Sequence, residues 1–443
     1  MFYKASLLAF ASIASSSLSN AAVIVPGATW TDTSGNVIQA HGGGILKAGS
    51  TWYWHGEDKT HNSVPDLMTW TRQNDALTPI SGTSISTSNI VERPKVIYNR
   101  NNAEYVMWFH SDSSNYGAAQ VGVATAKSAC GPFSYRGSFR PLNVESRDMG
   151  VYVDDDAAQT AYLLFASDNN QNFKIARMDS SYYNVTTLVS TIPRSTLESP
   201  GIVKRNGVYH LFASKTTGWD PNANKVITAN SLAGPWGAEN DIAPRATRTY
   251  FSQNTFNLPV SNNVAVYMGD RWRPQQLGGS RYIWYPMVWG NNNLPTIVPA
   301  DVWRVDFGTG AHIVAAGTTY EAERGTLSGP ARLLNNTGFS GGTAVGYIGN
   351  GGSVTINNVQ GNGADQWISF YYANADSGWR NTTISVNGGS AVRVDQPNTG
   401  GGGVVLSVPV KIFLRSGVNS ITVGAGQSNY AADLDKIVVY TDT

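Results

Sequence analysis

A hairpin-like segment recurs along the chain, and this repeat constrains the fold more than any other feature. Its clearest copies are GGGILKAGSTWYWHGE, RPKVIYNRNNAEYVMWFHS, DMGVYVDDDAAQTAYLLFAS and SPGIVKRNGVYHLFASKT. Each copy joins a β-branched strand, a polar turn and a second strand rich in aromatic residues, which is typical of a β-hairpin. The matching positions Ile45, Val96, Val151 and Ile202 lie 51, 55 and 51 residues apart. This period predicts a β-propeller, in which each repeat is one blade of about four strands.

A fifth and more divergent copy, VAVYMGDRW followed by RYIWYPMVW, extends the repeat toward residue 308. We therefore predict a five-bladed β-propeller over residues 22–308 and a short linker over 309–319. From residue 320 to 443 the pattern changes to tight alternation, as in SVTINNV and WISFYYANA, with Gly and Asn at the breaks. Short strands at this spacing predict a β-sandwich of the jelly-roll type. The expected fold class is all-β.

The composition agrees with an all-β fold and excludes some partners. Charged residues make up only 14% of the chain, which contains 46 Gly and 13 Trp, as expected for strands joined by long polar turns. The net charge is +1 and no basic run is present, so a nucleic-acid partner is not expected. We expect the protein to act as a monomer.

The first residues are typical of a secretory signal peptide over residues 1–21. Lys4 precedes the apolar stretch LLAFASIA, and SSSLSNAA supplies the small residues near a cleavage site. The apolar run is too short to span a bilayer, so no membrane association is expected. The sequence therefore predicts a secreted, extracellular protein. Its single cysteine, Cys130, excludes an intrachain disulfide.

Carboxylates occur at the same phase of three repeats, close to the start of the first strand. They are Glu92, Asp148 and Glu198, whereas the first copy has His41 and Gly42 at this place. In a propeller the first strand of each blade lines the central channel, so these side chains are expected to converge on one face. Neighbouring carboxylates raise one another's pKa, which can keep one of them protonated near neutral pH.

The blade starts RDMGVYVDDD and LESPGIVKRNGVYHLFAS resemble glycoside hydrolase family 43 over the whole propeller. This family comprises five-bladed propeller enzymes that cleave glycosidic bonds with inversion. The resemblance implies that Glu198 is the general acid and that Asp148 tunes its pKa and orients it. It implies no catalytic cofactor.

The first repeat departs from the family pattern, because Gly42, Gly43 and Gly44 stand where most members have the Asp that acts as base. The exo-β-1,3-galactanases are similar in lacking that Asp and in carrying a C-terminal carbohydrate-binding module. Resemblance to them implies release of galactose from β-1,3-galactan, the backbone of arabinogalactan, with Gln253 and Glu92 positioning the water.

Several alternatives remain at this point. His41 and Glu57 compete with Gln253 for the role of base, although we expect the Glu57 side chain to point away from the site. Other family 43 activities, arabinofuranosidase and xylosidase, share the fold and the acid but normally depend on the missing Asp. A non-catalytic carbohydrate-binding protein is the alternative from a different class.

Sugar rings pack on flat aromatic rings while their hydroxyl groups bind fixed polar partners. The candidate substrate contacts lie in turns or at strand ends between the carboxylate-bearing strands, and they are Tyr116, Asn170, Thr216, Trp219 and Trp272.

The segments YEAERGTLSG and ADLDKIVVY resemble the ends of a carbohydrate-binding module of family 35, over nearly all of residues 320–443. The resemblance implies a structural calcium where the two ends meet. Hard oxygen ligands suit this ion, and the matching acids are Glu321, Glu323 and Asp435. The implied sugar contacts in the end loops are Tyr347, Trp379, Arg380, Asn429 and Asp433.

Overall fold

The computed structural model describes residues 23–59 and 71–441. The predicted signal peptide lies outside the described residues. Nearly all regular structure is β, which confirms the predicted all-β class. The chain divides into two compact units. The first unit contains Thr29–Ala243 and Ser252–Val298, and the second contains residues 23–28, Pro244–Phe251 and residues 299–441.

The described part of the first unit consists of five antiparallel sheets that follow one another along the chain. Strand β1, Val23–Ile24, precedes them and belongs to the second unit. The five sheets are β2 (His41–Ala48) with β3 (Thr51–Glu57); β4 (Ile90–Asn99), β5 (Glu104–Asp112), β6 (Gln120–Ala126) and β7 (Ser134–Phe139); β8 (Met149–Val153), β9 (Ala161–Ser167), β10 (Asn172–Met178) and β11 (Val185–Ile192); β12 (Leu197–Arg205), β13 (Val208–Lys215), β14 (Lys225–Ala229) and β15 (Asn240–Asp241); β16 (Gln253–Ser261), β17 (Val264–Arg271), β18 (Arg281–Trp289) and β19 (Pro295–Ile297).

The first strands of these sheets form a closed ring. Strand β2 packs beside β4, β4 beside β8, β8 beside β12, β12 beside β16, and β16 beside β2 again. Buried apolar side chains fill the space between neighbouring sheets. Trp108 and Phe165 belong to one core cluster of the second and third sheets, and Leu164 and Leu211 belong to a cluster of the third and fourth. Such a ring of sheets is typical of a β-propeller.

A β-bulge interrupts four of the five first strands soon after they begin. The pairing register shifts between His41 and Gly44, Glu92 and Lys95, Glu198 and Gly201, and Asn254 and Phe256. In the first three of these bulges the second residue has a positive φ, at Gly42 (60°), Arg93 (57°) and Ser199 (53°). Because a bulge bends its strand and re-aims side chains, the residues before the bulge in these four strands are turned relative to those after it.

The second unit contains one small and two larger antiparallel sheets. Its strands after β1 are β20 (Trp303–Val305), β21 (His312–Val314), β22 (Gly317–Glu321), β23 (Thr326–Ser328), β24 (Arg332–Asn335), β25 (Thr343–Gly346), β26 (Ser353–Gly361), β27 (Ala364–Ala373), β28 (Arg380–Val386), β29 (Val392–Gln396), β30 (Leu406–Leu414), β31 (Gly417–Val423) and β32 (Asp433–Tyr440). The small sheet has the order β1-β20-β21. The larger ones are β24-β25-β32-β27-β30, with β22 beside β32, and β23-β26-β31-β28-β29.

The two larger sheets of the second unit share one hydrophobic core. Phe370 and Ile437 come from one sheet, Val354 and Ile421 from the other, and all four belong to the same buried cluster. The structure places β21 and the first residues of β22 within the predicted linker, 309–319.

Helical structure is confined to single turns in the described residues. The 3₁₀ turns are Pro141–Asn143, Arg245–Thr247, Leu277–Gly279, Ala322–Arg324 and Ser340–Gly342. One further turn, Arg248–Phe251, has positive φ at all four residues and is therefore left-handed. In the part of the chain described here, none of the helices has the length and apolar character needed to cross a membrane.

Candidate active site

The ends of the first strands that carry the predicted carboxylates surround a cavity of about 270 Å³ in the first unit. Its lining includes all four predicted catalytic residues and four of the five predicted sugar contacts. The lining residues are Glu57, Glu92, Arg93, His110, Tyr116, Arg147, Asp148, Asn170, Glu198, Gly218, Trp219, Gln253 and Trp272. Thr216, the fifth predicted contact, does not line the cavity, and its backbone N–H donates to the Thr196 carbonyl.

Glu198 has the environment of a carboxylic acid that stays protonated. It lies on β12 just before the bulge and is 9% exposed. Burial, followed by the negative charge of Asp148, raises its pKa to about 8, although the charge of Arg93 and a hydrogen bond from Gln253 act in the opposite direction. An acid with this pKa is protonated at neutral pH and can donate a proton to a bound substrate.

Asp148 is held in place by two groups. The Ser199 hydroxyl donates to Asp148 Oδ2 over 2.8 Å, and the Arg93 guanidinium lies 3.1 Å from the same oxygen. Ser199 follows Glu198 directly and occupies the left-handed position of the bulge. The bulge therefore directs Glu198 to the cavity, and it places Ser199 where its hydroxyl can bind the neighbouring Asp148.

Arg93 is the central cation of the site, although it was not among the residues predicted from the sequence. Its guanidinium is buried, and Nη2 donates to Gln253 Oε1 over 2.6 Å as well as pairing with Asp148. Burial alone lowers the pKa of Arg93, but the carboxylates of Asp148 and Glu57 outweigh it and raise the pKa. The sequence did contain an indication of Arg93, because it follows Glu92 directly, just as Ser199 follows Glu198.

The Gln253 amide makes four hydrogen bonds to residues that the structure describes. Its Oε1 accepts from Arg93 Nη2 at 2.6 Å and from Trp272 Nε1 at 2.8 Å, and its Nε2 donates to Glu198 Oε1 at 2.7 Å and to Ser214 Oγ at 3.2 Å. The Arg and Trp groups can only donate, which fixes the orientation of the amide. A water or sugar hydroxyl that binds Gln253 must therefore replace one of these partners.

Glu92 has the opposite electrostatic environment to Glu198. Burial by itself raises its pKa, but a hydrogen bond with His110 and the positive charges of Lys59, His110 and Arg93 outweigh burial and lower the pKa to about 2. Tyr116 donates its hydroxyl to Glu92 Oε1 over 3.3 Å. The cavity therefore contains an ionised carboxylate from the second sheet and a protonated one from the fourth.

His110 lies between two carboxylates. Its Nε2 is 2.9 Å from Asp112 Oδ2, and its Nδ1 is 3.5 Å from Glu92 Oε2. Burial lowers the pKa of His110, but the hydrogen bonds with Asp112 and Glu92 outweigh it and raise the pKa to about 9. Glu92, His110 and Asp148 also bring side-chain donors of the metal-ligand type within 4.8 Å of one another. The imidazolium and Lys59 supply positive charge beside Glu92.

The first sheet supplies a carboxylate from its second strand. A Cβ placed on Gly42 would lie 1.9 Å from Glu57 Oε1, so the Glu57 carboxylate occupies the space that a side chain at residue 42 would need. Its Oε1 accepts the Arg93 backbone N–H over 2.8 Å, and its Oε2 is 2.5 Å from Lys59 Nζ. The expectation that Glu57 points away from the site is therefore wrong. Its pairing with His41 across the bulge brings it to the cavity.

His41, the other alternative base, does not line the cavity. It is fully buried, its Nδ1 lies 2.8 Å from Asp270 Oδ1, and its ring stacks on Tyr282 with centroids 4.6 Å apart. Asp270 Oδ2 also accepts the Gly42 backbone N–H over 2.8 Å. These contacts support a structural role for His41, which anchors the glycine segment to the fifth sheet.

The residues that the sequence analysis considered for catalysis face other polar residues across the hairpins. The paired residues are His41 with Glu57, Glu92 with His110, Glu198 with Ser214, and Gln253 with Asp270. Residues directly opposite on two antiparallel strands lie side by side. Counting residues outward from each hairpin turn along both strands therefore identifies the residue that lies opposite a predicted one.

An aromatic wall and an amide complete the cavity. Trp219 and Trp272 meet edge to face with ring centroids 5.0 Å apart, and Lys59 Nζ lies 5.4 Å and 5.6 Å from their centroids. The buried Oδ1 of Asn170 has no hydrogen-bond partner among the described residues. The site thus offers aromatic rings for a sugar face and an open acceptor for a hydroxyl group.

In the second unit, the predicted sugar contacts differ in exposure. Tyr347 is 40% exposed and meets Tyr430 edge to face at 6.1 Å. Trp379 packs against the core cluster and lies 6.1 Å from Phe251. Two of the remaining predicted contacts bind neighbours in the same unit, since Arg380 donates to the Ala431 carbonyl and Asn429 donates to Asn381. The third, Asp433, is partly buried, and burial raises its pKa.

The predicted calcium ligands lie around Ser340. Its backbone N–H donates to Asp435 Oδ1 over 2.8 Å, and its hydroxyl donates to Glu321 Oε1 over 2.9 Å. One buried oxygen of Glu321 and one of Glu323 have no hydrogen-bond partner among the described residues. Burial, together with the charges of Glu321 and Glu323, raises the pKa of Asp435 to about 6. Three neighbouring carboxylates, two of which leave a buried oxygen without a partner among the described residues, have the chemistry of a site for a hard cation.

The ring of sheets, with a protonated glutamic acid and an ionised one in a cavity at the ends of the first strands, defines a glycoside hydrolase. The family model of glycosyl hydrolases family 43 matches residues 37–265. The chain is 64% identical to the exo-β-1,3-galactanase from Phanerochaete chrysosporium solved with galactose, covering 94% of this chain and 100% of that one, with a TM-score of 0.92. Variants of that enzyme were solved with β-1,3-galactotriose. The chain belongs to glycosyl hydrolases family 43.

Two proteins from Clostridium thermocellum are also similar to the chain. An exo-β-1,3-galactanase is 25% identical, covering 88% of this chain and 100% of that chain, with a TM-score of 0.62. A family 35 carbohydrate binding module is 31% identical, covering 28% of this chain and 98% of that one, with a TM-score of 0.27. No curated protein matches the chain.

Proposed function

We propose that the protein is a secreted, monomeric exo-β-1,3-galactanase that releases galactose from the end of β-1,3-galactan with inversion. The observation that carries the proposal is the buried Glu198 beside Asp148 in a small cavity, in a chain 64% identical to an enzyme of that name. A cavity of about 270 Å³ holds little more than one sugar ring, which suits an enzyme that acts on chain ends. The N-terminal sequence supports export.

The proposal includes the finer architecture. The five sheets of the first unit are five propeller blades, and the closed ring of their first strands supports this assignment. The two larger sheets of the second unit are the layers of a β-sandwich, and their shared core supports it. The site then lies on the face where the first strands begin.

In the proposed reaction, Glu198 protonates the glycosidic oxygen as the bond to the anomeric carbon breaks. Asp148 keeps Glu198 protonated by its negative charge, and Arg93 holds Asp148. A water molecule attacks the opposite face of the sugar ring, which inverts the anomeric configuration. Glu92 and Gln253 orient this water by hydrogen bonds, for which Gln253 exchanges one of its protein partners, and the water gives up a proton to the ionised Glu92 as the new bond forms.

The reaction products test this proposal. Incubation with a panel of polysaccharides should release free galactose from β-1,3-galactan and no arabinose or xylose from arabinan or xylan. Proton NMR in the first minutes should show α-galactose before mutarotation. Initial β-galactose would contradict inversion, and release of arabinose or xylose alone would assign the protein to another family 43 activity.

Replacing Asp148 by Asn should shift the alkaline limb of activity to lower pH. The active form requires protonated Glu198, so we expect kcat/KM of the wild type to fall as pH rises through about 8. Without the neighbouring negative charge Glu198 ionises more readily, and the limb should move down by about one pH unit. Measuring kcat/KM from pH 5 to about pH 10 checks this, and a limb that stays in place would exclude the tuning role.

The second unit is proposed to bind the same polysaccharide. The exposed ring of Tyr347 offers a stacking surface, and Arg380, Asn429 and Asp433 offer hydrogen-bonding groups. Trp379 would contribute by its packing rather than by stacking on sugar, because it lies against the core.

Calcium is proposed to stabilise the second unit through Glu321, Glu323 and Asp435. An ion at 100 times its dissociation constant adds about 2.7 kcal/mol to the free energy of unfolding. Protein treated with a chelator should therefore gain melting temperature when Ca²⁺ is added, and Asp435→Asn should lose this gain. Because protons compete with the ion, Ca²⁺ binding should strengthen as pH rises through about 6. Equal melting temperatures with and without Ca²⁺ would contradict the site.

A further inference from the structure

Two connections beside the active-site cavity contain left-handed backbone. Tyr116 has a φ of 56°, and Asp168, Asn169 and Asn170 have consecutive φ values of 52°, 56° and 62°. This conformation is acceptable for Asp and Asn but unfavourable for a bulky residue such as Tyr116. Strained backbone of this kind persists where surrounding structure holds it. The Tyr116 and Asn170 residues both line the cavity, so the groups that hold these connections also hold two of the predicted sugar contacts.

The two connections belong to different sheets of the first unit. The loop 113–119 joins β5 to β6 in the second sheet, and the turn 168–171 joins β9 to β10 in the third. In the loop, the Tyr116 N–H donates to the Ser113 carbonyl over 2.8 Å. At the turn, Asn172 Nδ2 donates to Asp168 Oδ2 over 2.7 Å. These bonds shape each connection separately, so they do not set the spacing between the two.

The segment that leads into β8 joins the loop to the turn. Arg147 Nη1 donates to the Tyr116 carbonyl over 2.9 Å, and Arg147 Nη2 donates to Asn169 Oδ1 over 3.4 Å. Two residues earlier, Glu145 Oε2 accepts the Asn169 backbone N–H over 2.7 Å. Of these two side chains, Arg147 is the one that binds both the loop and the turn.

The main chain of this segment is itself fixed. The Ser146 N–H donates to the Ala119 carbonyl, and the Arg147 N–H donates to the Ala166 carbonyl, each over 2.9 Å. A guanidinium is planar and its N–H groups form a rigid fork, so one side chain can hold two acceptors at a fixed spacing. Arg147 also lines the cavity and directly precedes Asp148. It therefore connects the loop and the turn from an anchored position beside the site.

We infer that Arg147 is a positioning residue for substrate recognition: by binding the loop and the turn at once, it holds Tyr116 and Asn170 at the spacing that a terminal sugar requires. Tyr116 brings a hydroxyl group and a partly exposed ring to the cavity. Asn170 brings a buried oxygen that has no partner among the described residues. The inference rests on the proposed function, because it assigns this spacing to the recognition of galactose.

Kinetics with β-1,3-galactobiose test this role. In Arg147→Met the loop and the turn lose their common partner, and KM should rise about tenfold, as expected when one or two hydrogen bonds to the sugar weaken. The kcat value should stay within about twofold, because interactions that bind substrate and transition state equally change KM alone. Arg147→Lys should raise KM by about threefold, since an ammonium group reproduces only part of the guanidinium fork.

Arg140→Met is the matched control. Arg140 also donates to carbonyls of the loop, to Ala118 over 3.0 Å and to Gly117 over 3.2 Å, but it is exposed and does not line the cavity. Its KM and kcat should equal those of the wild type. An equal rise of KM in Arg140→Met and Arg147→Met would show that loosening the loop alone suffices, and it would overturn the connecting role of Arg147.

A further set of variants separates positioning from direct contact between Arg147 and the sugar. If Arg147 acts through Tyr116 and Asn170, its replacement should change kcat/KM by less than about twofold in the background Tyr116→Ala Asn170→Ala, because residues that act together have non-additive effects. A fall in that background as large as the fall in the otherwise wild-type protein would show that Arg147 binds the substrate itself. That result would overturn the inference.

The pH profile provides another readout. Asp148 and Arg93 are the charged groups that most strongly influence the pKa of Glu198, and both remain in Arg147→Met. The alkaline limb of kcat/KM should therefore stay at about pH 8 in this variant. A displaced limb would show that Arg147 acts on the acid rather than on substrate recognition, contrary to the inference.

The inference and the proposed function fail in different ways. If Arg147→Met does not fold, Asn169→Gly decides, because it removes the acceptor on the turn while glycine tolerates the left-handed backbone. KM of Asn169→Gly should rise about threefold. Wild-type KM in folded Arg147→Met, or in Asn169→Gly, would overturn the inference and leave the proposed function intact. Failure of the wild type to release galactose from β-1,3-galactobiose would instead refute the proposed function.

Discussion

The Glu198→Gln variant should lose nearly all hydrolysis of β-1,3-galactan while it still binds the polysaccharide. The substitution keeps the size of the side chain and removes the proton donor that burial and Asp148 hold ready in the cavity. General acid catalysis contributes about 10²–10⁴-fold, and a sugar alkoxide is a poor leaving group that depends on it. We therefore expect a fall of kcat toward the upper end of this range, measured as galactose released from β-1,3-galactobiose.

Two controls make this result specific to the acid. An aryl β-galactoside with a nitrophenolate leaving group needs little protonation, so Glu198→Gln should retain much more activity on it than on β-1,3-galactobiose. Glu239→Gln alters a partly exposed glutamate that pairs with Lys215, and it should behave like the wild type on both substrates. Equal losses on the two substrates would contradict the assignment of Glu198 as the acid.

The Arg93→Met variant should be strongly destabilised as well as inactive. Arg93 is buried among carboxylates, and its guanidinium pairs with Asp148 and donates to Gln253. Removing one partner of a buried ion pair leaves the other charge uncompensated, at a cost of about 3–5 kcal/mol. We expect the free energy of unfolding, measured by urea denaturation, to fall by this amount.

The pH dependence of Arg93→Met provides a second readout. The positive charge of Arg93 lowers the pKa of Glu198, so its removal should raise that pKa and move the alkaline limb of any remaining activity to higher pH. Arg177→Met is the matched control, because Arg177 is exposed and contacts Thr187 outside the cavity; its stability should match that of the wild type. A stable Arg93→Met protein would show that the buried carboxylates do not require this cation.

Much of the architecture was predictable because its signals are local. The β-branched strands and polar turns of each repeat are typical of hairpins, and Ile45, Val96, Val151 and Ile202 do lie on equivalent strands of successive sheets. The same pattern locates the starts of those strands, which is why Glu92, Asp148 and Glu198 can be recognised from the sequence. Gln253 is recognisable only through family resemblance.

The misassignment of Glu57 has a physical cause. A shift of one residue in strand pairing turns a side chain to the opposite face of the sheet, and the bulge between His41 and Gly44 introduces such a shift. Nothing in the strand sequence TWYWHGE specifies a bulge in its partner. The three glycines of the first repeat were the sequence feature that accompanies the bulge, because the Glu57 carboxylate needs the space beside Gly42.

The left-handed turn at 248–251 could not be predicted from the sequence either. A positive φ is usually recognised by glycine or asparagine, and RTYF contains neither residue. Its conformation depends on the core in which Phe251 is buried, and that core is formed mainly by residues beyond 320.

The sequence by itself therefore determined the all-β class, the period of the repeat and the phase at which three carboxylates occur. These follow from side-chain alternation and turn chemistry over a few residues. Only the tertiary structure decided that the Glu57 carboxylate fills the space beside Gly42, that the pKa of Glu198 is raised while that of Glu92 is lowered, and that Arg93 and Gln253 connect Asp148 with Glu198. The reason is that hydrogen bonding, burial and charge depend on distances between residues far apart in the chain, which no local pattern contains.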